Sequence, residues 1–303
     1  MKEIWAADIK EQLFPDNSFV ALSQDDSVFS DGKKVHRAVS GTVDSATRNR
    51  QTVPAQVKRR TDVDTEYDLD EFTTDPILIQ DIEEVEVNYQ KRSSVLMQQM
   101  KQLNLDVAKW MNFHWAAEQA TTIIRTAGVD RAAIATAFGA TGTRKKIRID
   151  EFIKLAQTFD DMEVPEDNRN ILMPTAMYYD LVNDNWKDLL NLQVEGKAVL
   201  QRGEMYSLFG FRVWKRSAKN LLTYTNAGTP VRRAPDAGNL TTANAAALAW
   251  HPEFVTRAKG EVKVFENVDD ATMYGSVFSS LVRAGGRKFY PDGTGVAAIV
   301  EAV

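Results

Sequence analysis

YQKRSSVLMQQMKQLNLDVAKWMNFHWAAEQA, Tyr89 to Ala120, is the stretch around which the chain is organised. Neither glycine nor proline occurs between Pro76 and Gly128, so nothing there interrupts a helix. Leu96, Met100, Leu103, Val107, Trp110, His114 and Ala117 recur at alternate steps of four and three, which stacks them on one helical face. Gln98, Gln99, Lys101, Gln102, Asn104, Asp106, Lys109 and Asn112 fill most of the other faces. At about 1.5 Å per residue the helix spans roughly 45 Å, the width of a domain, and is expected to cross the body as a spine. Its methionines and Trp110 read as packing groups.

Composition narrows the function. With 303 residues, 44% of them hydrophobic, the chain can bury a core of one large or two medium domains. The absence of cysteine removes disulfides, thiolate nucleophiles, iron–sulfur clusters and cysteine-based zinc sites. A net charge of −5 argues against general nucleic-acid binding. The first twenty residues are broken by Glu3, Asp8, Lys10 and Glu11, so no secretory signal is expected, and no stretch has the length and apolarity of a membrane span. The chain reads as soluble.

Upstream of the spine, Ile4, Trp5, Ile9 and Leu13 form a short helical stripe ending at Pro15, and turn residues dominate Asp16 to Lys34. This is an arm with too few apolar residues for a core, and it needs a surface on its own body or a neighbour's. From Val35 to Phe72 the pattern becomes strands, with turns at Gly41 and Pro54. Val63, Thr65, Tyr67 and Leu69 alternate with Asp62, Asp64, Glu66, Asp68 and Asp70, and Arg48, Arg50, Lys58, Arg59 and Arg60 lie just ahead. An isolated two-stranded ribbon is marginal in water. Two readings stay open: a solvated charged face, or an arm reaching onto an adjacent subunit, with these charged residues as the inter-subunit contacts. Ile77 to Val87 continues as a strand that slips near Asp81, and Asn88 or Ser93 is placed to cap the spine.

Downstream, Gly128 to Thr143 reads as small and flexible. Arg144, Lys145, Lys146 and Arg148 precede a helix from Asp150 to Phe159, whose expected buried side is Phe152, Ile153, Ala156 and Phe159. Asn170 to Met173 forms a buried strand closed by Pro174, and Thr175 caps a helix through Tyr178, Leu181 and Val182. Leu208 to Trp214 is a strand holding Gly210 at a close approach. After a loop from Thr225 to Asn244, Ala245 to Trp250 is a buried strand. Glu253 to Glu266 alternates at Val262, Val264 and Phe265, Thr272 to Tyr290 supplies another long strand pair that ends in a turn at Pro291, Asp292 and Gly293, and Val296 to Val300 closes the chain.

Catalytic constellations are missing from the sequence. His36, His114 and His251 share no metal-ligand spacing; His114 reads as a core histidine and His251 as a loop residue. The acidic pairs Asp25/Asp26, Glu83/Glu84, Asp160/Asp161 and Asp269/Asp270 read as solvated turns. No phosphate-binding loop, dinucleotide fingerprint or nucleophile elbow occurs. The basic clusters, Arg232/Arg233 included, lack the interleaved aromatics of a stacking platform. No enzyme, cofactor or metal is expected.

The order of parts is itself a signal. VDTEYDLDEFTTDPILI (Val63 to Ile79), NILMPTAMYYDLV (Asn170 to Val182), LFGFRVWKRS (Leu208 to Ser217), ALAWHPEFVTRAKGEVKVFE (Ala247 to Glu266) and SLVRAGGRKFYPDGTGVAAIV (Ser280 to Val300) follow one another as in the major capsid protein of tailed bacteriophages, which this chain resembles over essentially its whole length. Herpesvirus shell floors and bacterial encapsulins share that fold.

The resemblance implies an α+β capsid fold: an N-terminal arm at 1–34, an E-loop β-hairpin at 35–76, a P-domain with spine helix and long β-strands at 77–127 and 253–290, and a compact A-domain at 128–252 and 291–303. It further implies pentamers and hexamers in an icosahedral shell around double-stranded DNA. The E-loop then lies over the neighbouring subunit, and the virion is assembled in the host cytoplasm. Because Met1 leads almost directly into the arm, a separate scaffolding protein is expected as a partner, with a portal and, in some relatives, decoration proteins. An encapsulin-type compartment and a phage DNA-binding protein are the alternatives.

Overall fold

The computed structural model describes residues 18–41, 62–80, 90–191, 207–217, 222–226, 228–238, 241–270 and 272–303, with 46, 48–51, 54, 57, 59 and 60 between the first two spans. Two sheets and the spine between them make the body. Asn244–Trp250 lies within an eight-stranded sheet and is buried along its entire length. It runs antiparallel to Arg169–Pro174, to Leu222–Tyr224 and to Val296–Val300, while Arg169–Pro174 runs parallel to Phe211–Arg216. A strand covered on both sides reads as a continuous apolar run, and its alternation survives only as a division between two cores. Ala246, Leu248, Trp250, Val296, Ala298 and Val300 face the core that holds the spine. Ala245, Ala247, Ala249, Ala297 and Ile299 face a second core built on the helices Ile149–Asp161 and Thr175–Asn191.

The second sheet is centred on a long hairpin, Val255–Asp270 with Gly275–Lys288. Asp70–Thr73 and Ile77–Gln80 pair with Gly275–Lys288, and Gln24–Asp25 lies parallel along Val255–Asp270. The spine helix, Gln90–Trp115, crosses this hairpin at Gly286, where an added Cβ would stand 2.8 Å from both Met111 Sδ and Thr256 O. The indole of Trp115 fixes the crossing by donating to Thr256 O at 2.9 Å.

The spine's buried face differs from the expected one. Trp110 and His114 are only partly buried, whereas Met111 and Trp115 belong to the core. From Leu103 the buried line advances through Val107, Met111 and Trp115 in steps of four, ahead of the helical repeat, so it rotates around the axis. The rotation follows a change of partner. Leu96 packs on Ile79 and Phe278 of the hairpin sheet, while Trp115 stacks on Trp250 of the other sheet. Gln99, Asn104 and Asn112 are consequently buried as well.

The helix also ends before Ala120, without a glycine. Carbonyls at and just past its end are taken by tertiary donors: Arg232 on Phe113 O at 2.6 Å, Lys288 on Ala116 O at 3.1 Å and Tyr224 on Ala117 O at 2.7 Å. Two of these are cations, the charge a helix C-terminus favours. Ser93 lies inside the helix and is not its cap, while Asn88 and the slip near Asp81 lie outside the described residues.

Other local expectations also change. Residues 18–31 dock on the chain's own body: Phe19 meets Trp115 and Trp250 edge-on, and Trp250 donates to Leu22 O at 2.8 Å. The stripe from Ile4 to Leu13 lies outside the described residues. Gly128 to Thr143 is built into the body, with strands Asp130–Ala132 and Thr143–Lys145 paired and Ala133, Ile134, Ala135 and Ala140 buried. On helix Ile149–Asp161 the buried side includes Leu155, and Ile153 is exposed. The Thr175 hydroxyl donates to Arg216 O at 3.0 Å, on the neighbouring strand, instead of capping its helix. Phe209 and Gly210 both have positive φ and form the two-residue turn between Ser207–Leu208 and Phe211–Arg216, so this glycine marks a hairpin.

Candidate assembly interface

The charged ribbon is a three-stranded sheet, Ser30–Asp31, Lys34–Val39 and Val63–Asp68, with Lys34 opposite Asp68 and Val39 opposite Val63. Its root is packed. Val35, Leu69 and Ala258 form a small core with Tyr67 against it. Asp26, 1% exposed, is ion-paired with Arg37, whose guanidinium lies 4.8 Å over the Phe289 ring. Burial pushes the Asp26 carboxyl up, against the pull of Arg37. Arg287 donates to Glu66 O at 2.9 Å. The ribbon is therefore anchored at one end and exposed at the other.

Much of the acidic row finds partners in the same chain. Glu66 pairs with Lys34 at 3.1 Å, Asp62 with Arg60 at 2.7 Å and Asp70 with His114 at 3.0 Å. The hydrogen bond from Arg60 holds Asp62 below its ordinary value. Burial holds the His114 imidazole low, with Asp70 opposing. Asp68 is exposed. Arg48, Arg50, Arg59 and Arg60 are exposed at the far end, whereas Lys58 and the side chain of Asp64 lie outside the described residues.

Groups considered for chemistry are mostly structural. His114 sits at the rim of the core, stacked with Trp110 and Phe113. His251 is buried; its Nε2 faces Asp167 O at 2.9 Å and its Nδ1 accepts from Glu253 N, so it caps a short turn. Arg144 is buried, with its Nε donating to Asn244 Oδ1 at 2.6 Å. Asp26 departs from the reading of the acidic pairs as solvated turns, and Glu83/Glu84 lies outside the described residues. Among the described residues no cluster of His, Cys, Asp or Glu is placed to hold a metal, and no helix is long and apolar enough to cross a membrane.

One network was missed by the sequence reading. Glu301, fully buried, accepts from Ala245 N at 2.9 Å and pairs with Arg131 at 2.7 Å, and Arg131 reaches Asp180 at 2.5 Å. Its signal was a lone carboxylate following the apolar run Val296 to Val300.

Layered around a spine, with a long hairpin and a rooted projecting ribbon, the chain has the fold of tailed-phage capsid proteins. The capsid of Ralstonia phage GP4 matches with a TM-score of 0.65 at 11% identity, covering 93% of this chain and 87% of that one. The capsid of Cyanophage P-SCSP1u matches at 0.60 and 18% identity, covering 92% and 85%, and a structure from Mycobacterium phage Che8 at 0.60 and 17%, covering 93% and 90%. Neither a family model nor a curated protein matches the sequence.

Proposed function

We propose that this chain is a major capsid protein, a non-enzymatic subunit whose copies form the pentamers and hexamers of an icosahedral shell enclosing double-stranded DNA. The observation that carries the reading is the capsid fold, shared over more than nine-tenths of the chain with phage capsids. A place in the virion capsid fits it. The arm at 1–34, E-loop at 35–76, P-domain at 77–127 and 253–290, and A-domain at 128–252 and 291–303 are assigned on the same ground. A separate scaffolding protein and a portal are the partners proposed for assembly.

Shell growth favours many moderate contacts over one tight one, because a misplaced subunit must be able to leave. Exposed charges on a rooted ribbon suit that demand, since such pairs are weak and screened by salt. The ribbon residues from Arg48 to Asp70 are therefore proposed as inter-subunit contacts. Reversing Arg59 and Arg60 to Glu is expected to impair shell assembly while leaving the monomer folded, as read by its circular dichroism. Sedimentation checks this, and normal shell yield from the double variant excludes the role.

A further inference from the structure

We infer that the root of the ribbon is a latch, in which the Tyr67 hydroxyl closes onto the free oxygen of the buried Asp26 carboxylate and locks the ribbon to residues 24–26. The inference concerns the single chain and stands whether or not the shell reading does. Asp26 directly follows the strand Gln24–Asp25 and is 1% exposed. Arg37 occupies its Oδ1, while its Oδ2 has no hydrogen-bond partner. Arg37 is held in that position by Gln24 Oε1 at 2.6 Å and by the Phe289 ring beneath it. The second oxygen therefore needs another donor.

That donor stands across a cavity of about 10 Å³ shared by Asp26, Arg37, Tyr67, Thr256 and Arg287. Tyr67 lies on the strand Val63–Asp68, opposite Val35. Its hydroxyl meets Thr256 Oγ1 at 3.4 Å, and the same Oγ1 stands 3.4 Å from Arg287 O. A hydrogen bond between oxygens closes to about 2.5–3.0 Å, so the phenolic proton has no good acceptor in this position. Burial pushes the Tyr67 hydroxyl up, which keeps that proton in place through the neutral range.

One cavity thus holds a donor lacking an acceptor and an acceptor lacking a donor. A buried polar atom left unpaired is costly, and a bond to a carboxylate is among the stronger ones available. The space is at the lower limit of what one water requires, about 10–15 Å³, so direct contact is the closure that fits. The bond would join residues 24–26, the ribbon and the hairpin at Thr256, whose carbonyl Trp115 of the spine already holds. Tyr67 is then a positioning residue that fixes the ribbon through Asp26.

Hydrogen exchange on the dilute 303-residue chain, read by mass spectrometry over 34–39 and 63–68, tests the latch, because its two positions give Tyr67→Phe opposite signs. With the latch open, the variant removes a buried hydroxyl that lacks a good partner, and exchange in the ribbon stays as in wild type or slows. With the latch closed, the variant breaks a bond to a charged group, and the ribbon should exchange about tenfold faster while the eight-stranded sheet keeps its protection. The closed outcome is expected, and unchanged or slower ribbon exchange overturns the proposal. Asp26→Asn supplies the second comparison. Arg37 keeps the amide oxygen there, so the cavity receives an N–H and the hydroxyl has no acceptor. Adding Tyr67→Phe to that variant should change ribbon exchange by less than about twofold, and a full tenfold effect would place the hydroxyl's partner elsewhere and overturn the latch. Should Asp26→Asn fail to fold, the first comparison decides alone.

Discussion

Trp250→Ala is expected to destabilise the folded chain by about 3–5 kcal/mol, the range for deleting a large buried aromatic. Trp250 is 0% exposed and sits where three separate parts of the chain meet. Its ring is 5.9 Å from that of Trp115 at the end of the spine and 6.2 Å from that of Phe19 in the arm. Its Nε1 holds Leu22 O at 2.8 Å, so truncation also leaves a backbone acceptor unpaired. Thermal unfolding should move down by roughly 10 °C for a chain of this size. Trp110→Ala is the internal control. That ring is only partly buried, so its loss should cost about 1 kcal/mol or less. Equal losses at the two tryptophans would contradict the assignment of the spine's buried face.

Arg131→Met is the second large effect, about 3–5 kcal/mol at pH 8, because it strands a buried carboxylate. Arg131 joins Glu301 at 2.7 Å to Asp180 at 2.5 Å, tying the chain's last strand to the helix Thr175–Asn191. Burial holds the Glu301 carboxyl above its ordinary value, with Arg131 and the Ala245 amide pulling it down. A carboxyl raised in the folded state binds its proton more tightly there than in the unfolded chain. Its contribution to stability is full below the unfolded value and is lost as pH rises through the raised one. Removing Arg131 raises the Glu301 carboxyl further, so the deficit should shrink as pH falls from 8 towards 5. Glu301→Gln, which keeps an acceptor for the Ala245 amide, should cost far less than Arg131→Met. Chemical denaturation at both pH values tests this, and a deficit independent of pH would rule out the buried carboxylate as its source.

The legible parts of the sequence were those with long uninterrupted patterns. The spine, the strand at Ala245 to Trp250, the extended stretches Glu253 to Glu266 and Thr272 to Tyr290 and the closing strand Val296 to Val300 announced themselves by period or by apolar run, whereas the pairing of the two long stretches into a single hairpin did not. Failures came where tertiary partners decided the outcome. A fixed heptad predicted Trp110 and His114 on the spine's buried face, but the helix passes from one sheet to another and its covered side turns with it. Gly128 to Thr143 has the composition of a linker, yet its alanines are small enough to pack directly under the eight-stranded sheet.

For the candidate interface, the charge segregation of the ribbon was visible in one dimension. Its root was not, because Asp26, Arg37, Tyr67 and Thr256 converge only in the folded chain.

Electron microscopy of the 303-residue chain, purified together with the proposed scaffolding protein, meets the central claim head-on. Closed icosahedral shells are expected, built from clusters of five and six subunits with each ribbon laid across the next copy. A solution of separate monomers, persisting at high concentration with every virion protein present, would contradict the account.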